Sequence, residues 1–231
     1  MGITLYELAG AEDDRRFSPY CWRITLALKH KGLDFEGVAW RFTEKDRIAF
    51  AGTQKVPVLV DGDFAIHDSA EIAAYLEKTY PDRPSLFGGP EAQALSRFYV
   101  DWTDTVLQSA LFKLIVADIP QHLAPIDAEY FRTSREKMVG MPLEDYCADR
   151  EDRLAAVSQA LSPLRRTLKL QPFLCGDAPA WADYTVFGAF QWARCVSPIS
   201  LLKPDDPVYR WRDAMLGLFD GLAAKAKGFP V

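Results

Sequence analysis

Three short stretches hold residues whose types and spacing can do chemistry. In Ser18-Pro19-Tyr20-Cys21, a serine and a proline open a helical pattern that runs from Trp22 to Lys31. Serine is favoured at the N-cap and proline at the first helical position, so starting a helix is a sufficient reason for both. The same position has a chemical use. A helix N-terminus presents free N–H groups and the positive end of a dipole to an anion. A hydroxyl there accepts from the backbone through a lone pair while it donates its own proton outward, for example to a thiolate.

The second stretch is Lys55-Val56-Pro57-Val58-Leu59. Proline cannot donate to a β-ladder, so at the entrance of a strand it marks either an ordinary trans edge or a special turn. A cis Val56–Pro57 bond would turn the backbone of Val56 outward and leave its N–H and C=O for a peptide-like ligand. The third is Asp68-Ser69-Ala70-Glu71 ahead of the apolar run Ile72 to Leu76. As a capping box it needs no ligand. As a site it is a helix N-terminus with a carboxylate and a hydroxyl, suited to a molecule carrying both an ammonium and a carboxylate.

The elements that must position these residues follow from periodicity. Ile3 to Leu8 reads as a strand, Trp22 to Lys31 as a helix stopped by Gly32, and Gly37 to Phe42 as a second strand. Val56 to Val60 and Phe64 to Ile66 flank Asp61-Gly62-Asp63, a hairpin signal, and a helix spans Asp68 to Tyr80. That order, βαβ then ββα, predicts a small mixed sheet. Pro81, Pro84, Gly88, Gly89 and Pro90 then mark a linker. Beyond it the apolar recurrence is helical: Phe98, Trp102, Val106, Leu107; then Leu154 to Leu168, kinked at Pro163; then Trp211, Met215, Leu218, Phe219, Leu222. Between them, about 119 to 142 reads as a long irregular connection with one short helix.

Composition narrows the function classes. The chain has 231 residues, 49% of them hydrophobic and 26% charged, enough for one large domain or two small ones with a real core. A formal charge of −5 argues against nucleic-acid binding. No run of about 18 apolar residues suggests a membrane span. Met1 to Gly10 lacks the pattern of a secretory signal, which makes a cytoplasmic address the expectation. Cys21, Cys147, Cys175 and Cys195 form no C-x-x-C pair, and with His30, His67 and His122 they give no metal-ligand spacing. Reduced, packed thiols and no metal are expected.

Ser18-Pro19-Tyr20-Cys21 resembles the active-site turn of the thioredoxin and glutaredoxin families, with serine where the first cysteine would stand. Val56-Pro57 resembles their cis-proline loop, and Asp68-Ser69 the acidic-serine motif that holds the γ-glutamyl end of glutathione. With the linker and the helical second half, the chain is similar over essentially its whole length to the cytosolic glutathione transferases. Within them it resembles the bacterial β-etherase branch, which cleaves aryl ethers of lignin-derived compounds. Segments such as Ala27 to Gly32, Tyr80 to Pro84, Arg150 to Leu154, Ala182-Asp183-Tyr184 and Leu218 to Leu222 carry that likeness.

The resemblance implies a thioredoxin-like domain with a mixed four-stranded sheet at 1–82, a linker at 83–90, and an all-helical domain at 91–231 that supplies the electrophile site. It implies glutathione as co-substrate, an apolar or aromatic electrophile, and a homodimer. Ser18 would stabilise the glutathione thiolate, Val56 would pair with the cysteinyl backbone, Lys55 would sit beside the peptide, and Asp68 and Ser69 would hold the γ-glutamyl group. Arg41 and Lys45 are both candidates for the glycyl carboxylate. Phe17, Trp22, Trp102, Phe112, Ile115 and Trp192 are candidates for the electrophile wall. A family capping box in the second domain survives by half, as Asp183 without a hydroxyl at Ala180. Cys21 without a partner cysteine is a poor redox centre. The competing readings are a non-catalytic carrier of glutathione or apolar ligands and a reductive glutathione lyase.

Overall fold

Alternate residues of Ile3–Leu8 (β1) turn inward, as a half-buried strand requires. The computed structural model describes residues 2–230, so Met1 and Val231, the ends of the two expected domains, lie outside it. After β1, Pro19–His30 (α1) crosses one face of the sheet and returns to Phe35–Trp40 (β2), which lies parallel to β1 with Ile3 opposite Phe35. Ile24, Leu26, Ala27 and Leu28 are fully buried in that crossing. Gly32, at φ +62°, ends α1 in the left-handed conformation that glycine adopts at least cost.

Val58–Asp61 (β3) runs antiparallel to β1 and pairs with Phe64–His67 (β4), giving the order β2-β1-β3-β4. Asp61 faces Phe64 across a two-residue Gly62-Asp63 turn. Ser69–Thr79 (α2) follows, capped by Asp68, whose side chain accepts from the N–H groups of Ala70 and Glu71 at 2.8 and 3.3 Å. The expected mixed four-stranded sheet with helices is therefore present, and β2 sits two residues earlier than the apolar pattern suggested.

The second half is helical, and it departs from the sequence expectation in four places. Pro90–Trp102 (α3) continues through a five-residue π segment, Thr103–Leu107, into Gln108–Ile115 (α4). Phe98 and Val106, expected on its core face, are 68% and 41% exposed instead. The connection expected to hold one short helix contains Pro125–Val139 (α5), 15 residues opened by Pro125 and closed by Gly140 at φ +79°. Its buried side chains are Asp127 and Phe131, too few to leave an apolar stripe in the sequence.

Leu143–Tyr146 (α6) precedes Arg150–Ala160 (α7) and Ser162–Thr167 (α8), which are two helices where the pattern predicted one with a kink at Pro163. Trp181–Val196 (α9) is buried at almost every position and forms the axis of this half. Finally, the helical geometry of Pro207–Lys225 (α10) is broken at Leu218 to Gly221, where Phe219, Asp220 and Gly221 all have positive φ. The apolar spacing ran through this break without a sign of it, except for the glycine.

The two halves meet along α1 and α9. A Cβ on Gly188 would lie 2.5 Å from the carbonyl oxygen of Pro19, so α9 passes against the first turn of α1 only because that residue is glycine. Arg23, 1% exposed, forms an ion pair with Asp104 of the π segment. Asp183 accepts from the N–H groups of Leu174, Cys175 and Ala180 and from Trp211 Nε1, at 2.7 to 3.2 Å. Desolvation raises its pKa, and the bonds from Trp211, Leu174 and Ala180, with the Cys175 side chain, oppose the rise. The half-box read from Ala180 and Asp183 is thus the pin of the helical core.

Candidate active site

Ser18 is the N-cap of α1, with extended backbone angles, and its Oγ accepts from Cys21 N–H at 3.3 Å. It is 4% exposed and lines a cleft of about 390 Å³ between the two halves. The first turn of α1 has no acidic residue, so the positive end of its dipole faces the cleft uncompensated. The hydroxyl accepts from Cys21 N–H through one lone pair, a bond that does not use its own proton.

Across from Ser18, the Val56–Pro57 bond is cis. Val56 precedes β3, and its N–H and C=O enter no backbone hydrogen bond among the described residues. Lys55 and Gln54 line the same wall, and the Lys55 N–H is held by Thr53 Oγ1 at 3.2 Å. Asp68 and Ser69 lie outside the cleft lining. Tyr20 links the two places: it lines the cleft, and the charge of Asp68 is one of the lesser causes, after desolvation and Asp104, that raise its pKa.

The structure separates the two candidate cations. Arg41 is tied to the carbonyls of Gly10 and Ala11 and to Asp13 and Glu44, away from the cleft. Lys45 lines it, with its ammonium 4.8 Å from the centre of the Tyr130 ring. Asp127 holds this region together by accepting from Thr43 N–H and Oγ1–H at 2.9 and 3.0 Å, which fastens the start of α5 to the loop after β2. Phe42 is thereby packed against Phe131, ring centroids 5.4 Å apart.

Of the six candidates for an electrophile wall, Phe17, Phe112 and Trp192 line the cleft. Trp22 and Ile115 are core residues, 4% and 0% exposed, and Trp102 is half-buried outside the lining. A single sequence gives helical spacing but not which side of a helix meets a cleft. The wall also contains Phe42, Gln108, Tyr130, Phe131 and Arg135, which the sequence reading missed. A second recess of about 620 Å³ shares Gln108, Phe112 and Trp192 and extends to Met138, Val139 and Tyr146.

The cleft is lined by three cations, Lys45, Lys55 and Arg135, and by no carboxylate. Its occupant should be anionic, with apolar or aromatic surface. Thiol chemistry from the protein itself is disfavoured: burial pushes the Cys21 and Cys195 thiols up to about 12. Cys175, the one exposed cysteine, is also pushed up to about 12 by burial and by Asp183. Among the described residues no His, Cys, Asp and Glu group could hold a metal ion. No helix there is long and apolar enough to cross a membrane.

Comparison with known proteins agrees with this geometry. Residues 17–79 match the family model described as the glutathione S-transferase N-terminal domain, and residues 94–201 that of the C-terminal domain. Glutathione S-transferase U22 of Arabidopsis thaliana is 24% identical over 179 residues, 76% of this chain and 69% of that protein. Glutathione S-transferase U28 of the same plant is 30% identical over a shorter stretch, 39% of this chain and 42% of that protein. Among solved structures, the glutathione S-transferase CsGST63524 of Ceriporiopsis subvermispora, in complex with glutathione, superposes with a TM-score of 0.78. It is 26% identical, and the match covers 97% of this chain and 94% of that one. A mixed four-stranded sheet with a cis-proline loop, a helical half packed through α9, and family matches to both halves lead to one assignment: the chain belongs to the glutathione S-transferase superfamily.

Proposed function

We propose that the protein is a glutathione S-transferase in which Ser18 stabilises the glutathione thiolate for attack on an electrophilic carbon of an aromatic substrate. The observation that carries this reading is the pairing of a helix N-cap hydroxyl with the unpaired backbone of Val56 across one cation-lined cleft. The cysteinyl part of glutathione pairs with Val56 N–H and C=O like one rung of an antiparallel strand, which aims its sulfur at Ser18. Lys55 lies beside the peptide, Asp68 and Ser69 hold the γ-glutamyl ammonium and carboxylate, and Lys45 takes the glycyl carboxylate.

The energetics suffice without a basic side chain. A free thiol titrates near 8.5, so only a few per cent is thiolate at neutral pH. A charge-assisted hydrogen bond contributes about 1.5–3 kcal/mol, equivalent to about one to two pKa units, and the helix dipole adds about 0.3–1 kcal/mol. The thiol proton leaves to solvent, the sulfur forms its bond to carbon, and the leaving group departs with the electron pair.

Cleavage of a β-aryl ether is the same displacement with an aryloxide leaving and then taking up a proton, and the segments that resemble the β-etherase branch favour it. A reductive lyase would want a thiol at Ser18, and the nearby Cys21 is buried with its pKa pushed up to about 12. Exposed Leu95 and Phe98 on α3, 73% and 68% accessible, support a homodimer. We place the division between the two domains at the 83–90 segment and the protein in the cytoplasm.

A paired assay of purified protein with glutathione tests the reading. One arm uses a chloronitroaromatic, and the other a β-aryl ether ketone that releases a fluorescent phenol. Release of phenol with one glutathione thioether per ether establishes ether cleavage, and conjugation of the chloronitroaromatic alone leaves a broader transferase. Silence in both arms with glutathione still bound supports a carrier and overturns catalysis.

A further inference from the structure

The cleft has one cation more than glutathione needs. If the transferase reading above is correct, the γ-glutamyl carboxylate goes to Asp68-Ser69 at the start of α2, the thiolate to Ser18, the glycyl carboxylate to Lys45, and Lys55 lies beside the peptide. Arg135 is left over. It stands on α5, four residues after Phe131, which packs on Phe42, and three and four before Met138 and Val139, which line the second recess. Residues at that spacing share one helix face, so Arg135 lies between the part of the cleft toward glutathione and the recess that extends away from it.

Its surroundings leave the charge without a partner. Among the described residues no carboxylate lies within ion-pair distance of Arg135. Its guanidinium lies over the rings of Phe131 and Phe42, 4.8 and 5.7 Å from their centres. Among the described residues its only side-chain bond is Nη1 donating to Ser134 Oγ at 3.0 Å. Stacking of this kind holds the guanidinium plane while its edge donors stay available for a carboxylate, which they can meet in parallel. Desolvation lowers its pKa, as expected for a half-buried cation short of a counter-charge, though an arginine remains charged throughout.

We propose that Arg135 binds a carboxylate carried by the electrophile, so that the favoured substrates are aryl electrophiles bearing an acid group. The aromatic ring packs between Phe112, Trp192 and Phe131, and the carboxylate reaches the edge of the guanidinium. The acid group fixes the ring, and so the carbon that the sulfur attacks. Arg135 acts here as a specificity residue and touches no reacting atom.

The test compares 4-chloro-3,5-dinitrobenzoate with its methyl ester in wild type, Arg135→Gln and Arg135→Lys. In both reactions the glutathione sulfur displaces chloride from the ring. Wild type is expected to prefer the acid. The acid-to-ester ratio of kcat/KM should fall about tenfold or more in Arg135→Gln and recover in part in Arg135→Lys, as expected for a charge-assisted contact. Titration of the two S-aryl glutathione products, followed by isothermal calorimetry, should show the same loss of preference in binding alone.

An unchanged ratio overturns the proposal. If KM for glutathione then rises equally with both electrophiles, Arg135 holds the glycyl carboxylate instead. If nothing moves except thermal stability, the arginine is a structural cap on Phe131. Should wild type turn over neither compound, the transferase reading falls, and the product titrations still decide what Arg135 binds.

Discussion

The two walls of the cleft are built by different means. The wall formed by the sheet half offers a peptide its backbone, the open amide of Val56 and the N-terminal turn of α1, beside the side chains of Ser18, Lys45 and Lys55. The wall formed by the helical half presents side chains: Phe112, Phe131, Arg135 and Trp192, from α4, α5 and α9. A backbone wall recognises a ligand with a fixed peptide framework, and its geometry is held by turns that few substitutions move. A side-chain wall can be recut one residue at a time while the fold stands. Mutations should therefore act on kcat through the first wall and on electrophile KM through the second.

The largest effect should come where the walls meet. Gly188→Ala puts a Cβ against the Pro19 carbonyl, a backbone atom that cannot swing aside. We expect a loss of about 1–3 kcal/mol in stability, typical of overpacking, together with reduced kcat as Ser18 is displaced. Denaturant titration and steady-state kinetics on one preparation check both. Full activity in Gly188→Ala would break the claim that α9 sets the active-site turn.

Ser18→Ala sharpens the comparison from the first wall. It should lower kcat about tenfold or more with little change in glutathione affinity, since the proposed role of the hydroxyl is to favour the thiolate over the thiol. A pH profile should show the apparent pKa of bound glutathione moving up toward that of the free thiol. Phe112→Leu probes the other wall. Losing one half-buried ring from the aromatic lining should cost about 0.5–1.5 kcal/mol, or two- to tenfold in KM for an aryl electrophile. Glutathione affinity measured by calorimetry should stay fixed, and a matching loss there would join the two walls into one site.

The same contrast explains what was legible in the sequence. Ser18, Val56-Pro57 and Asp68 belong to local grammar: an N-cap before proline, a proline at a strand entrance, a carboxylate two residues ahead of the amide it caps. Each is fixed within a few residues, so the sheet half and its candidate residues could be read directly. The second wall depends on which helix face meets the cleft, a non-local fact. Trp22 and Ile115 look like Phe112 in spacing and are core, whereas Arg135 and Tyr130 sit on a helix too polar to have been expected at its full length. Phe98 and Val106 kept helical spacing and still face outward. The break at Phe219 to Gly221 was hidden because apolar residues continue across it.

The smallest expected effect concerns the seam behind the walls. His30 Nε2 lies 3.0 Å from the Ser85 carbonyl oxygen, which can only accept, so Nε2 carries a proton, and Nδ1 meets the Tyr184 hydroxyl at 2.7 Å. Desolvation lowers the pKa of the ring, which favours its neutral form in the fold. His122 is lowered by the same cause. A histidine whose folded pKa lies below its unfolded value of about 6.5 binds more protons when unfolded. Its contribution to stability is present above that value and is lost as pH falls toward the folded pKa. Glu7, buried and raised by desolvation, acts in the opposite sense, so the wild-type slope is a sum. Urea midpoints at pH 7.5 and 5.5 should therefore be compared between wild type and His30→Asn, where the difference isolates this ring. The acid-side loss should be smaller in the variant, while the ratio of electrophile KM to glutathione KM stays that of wild type, since the seam touches neither wall.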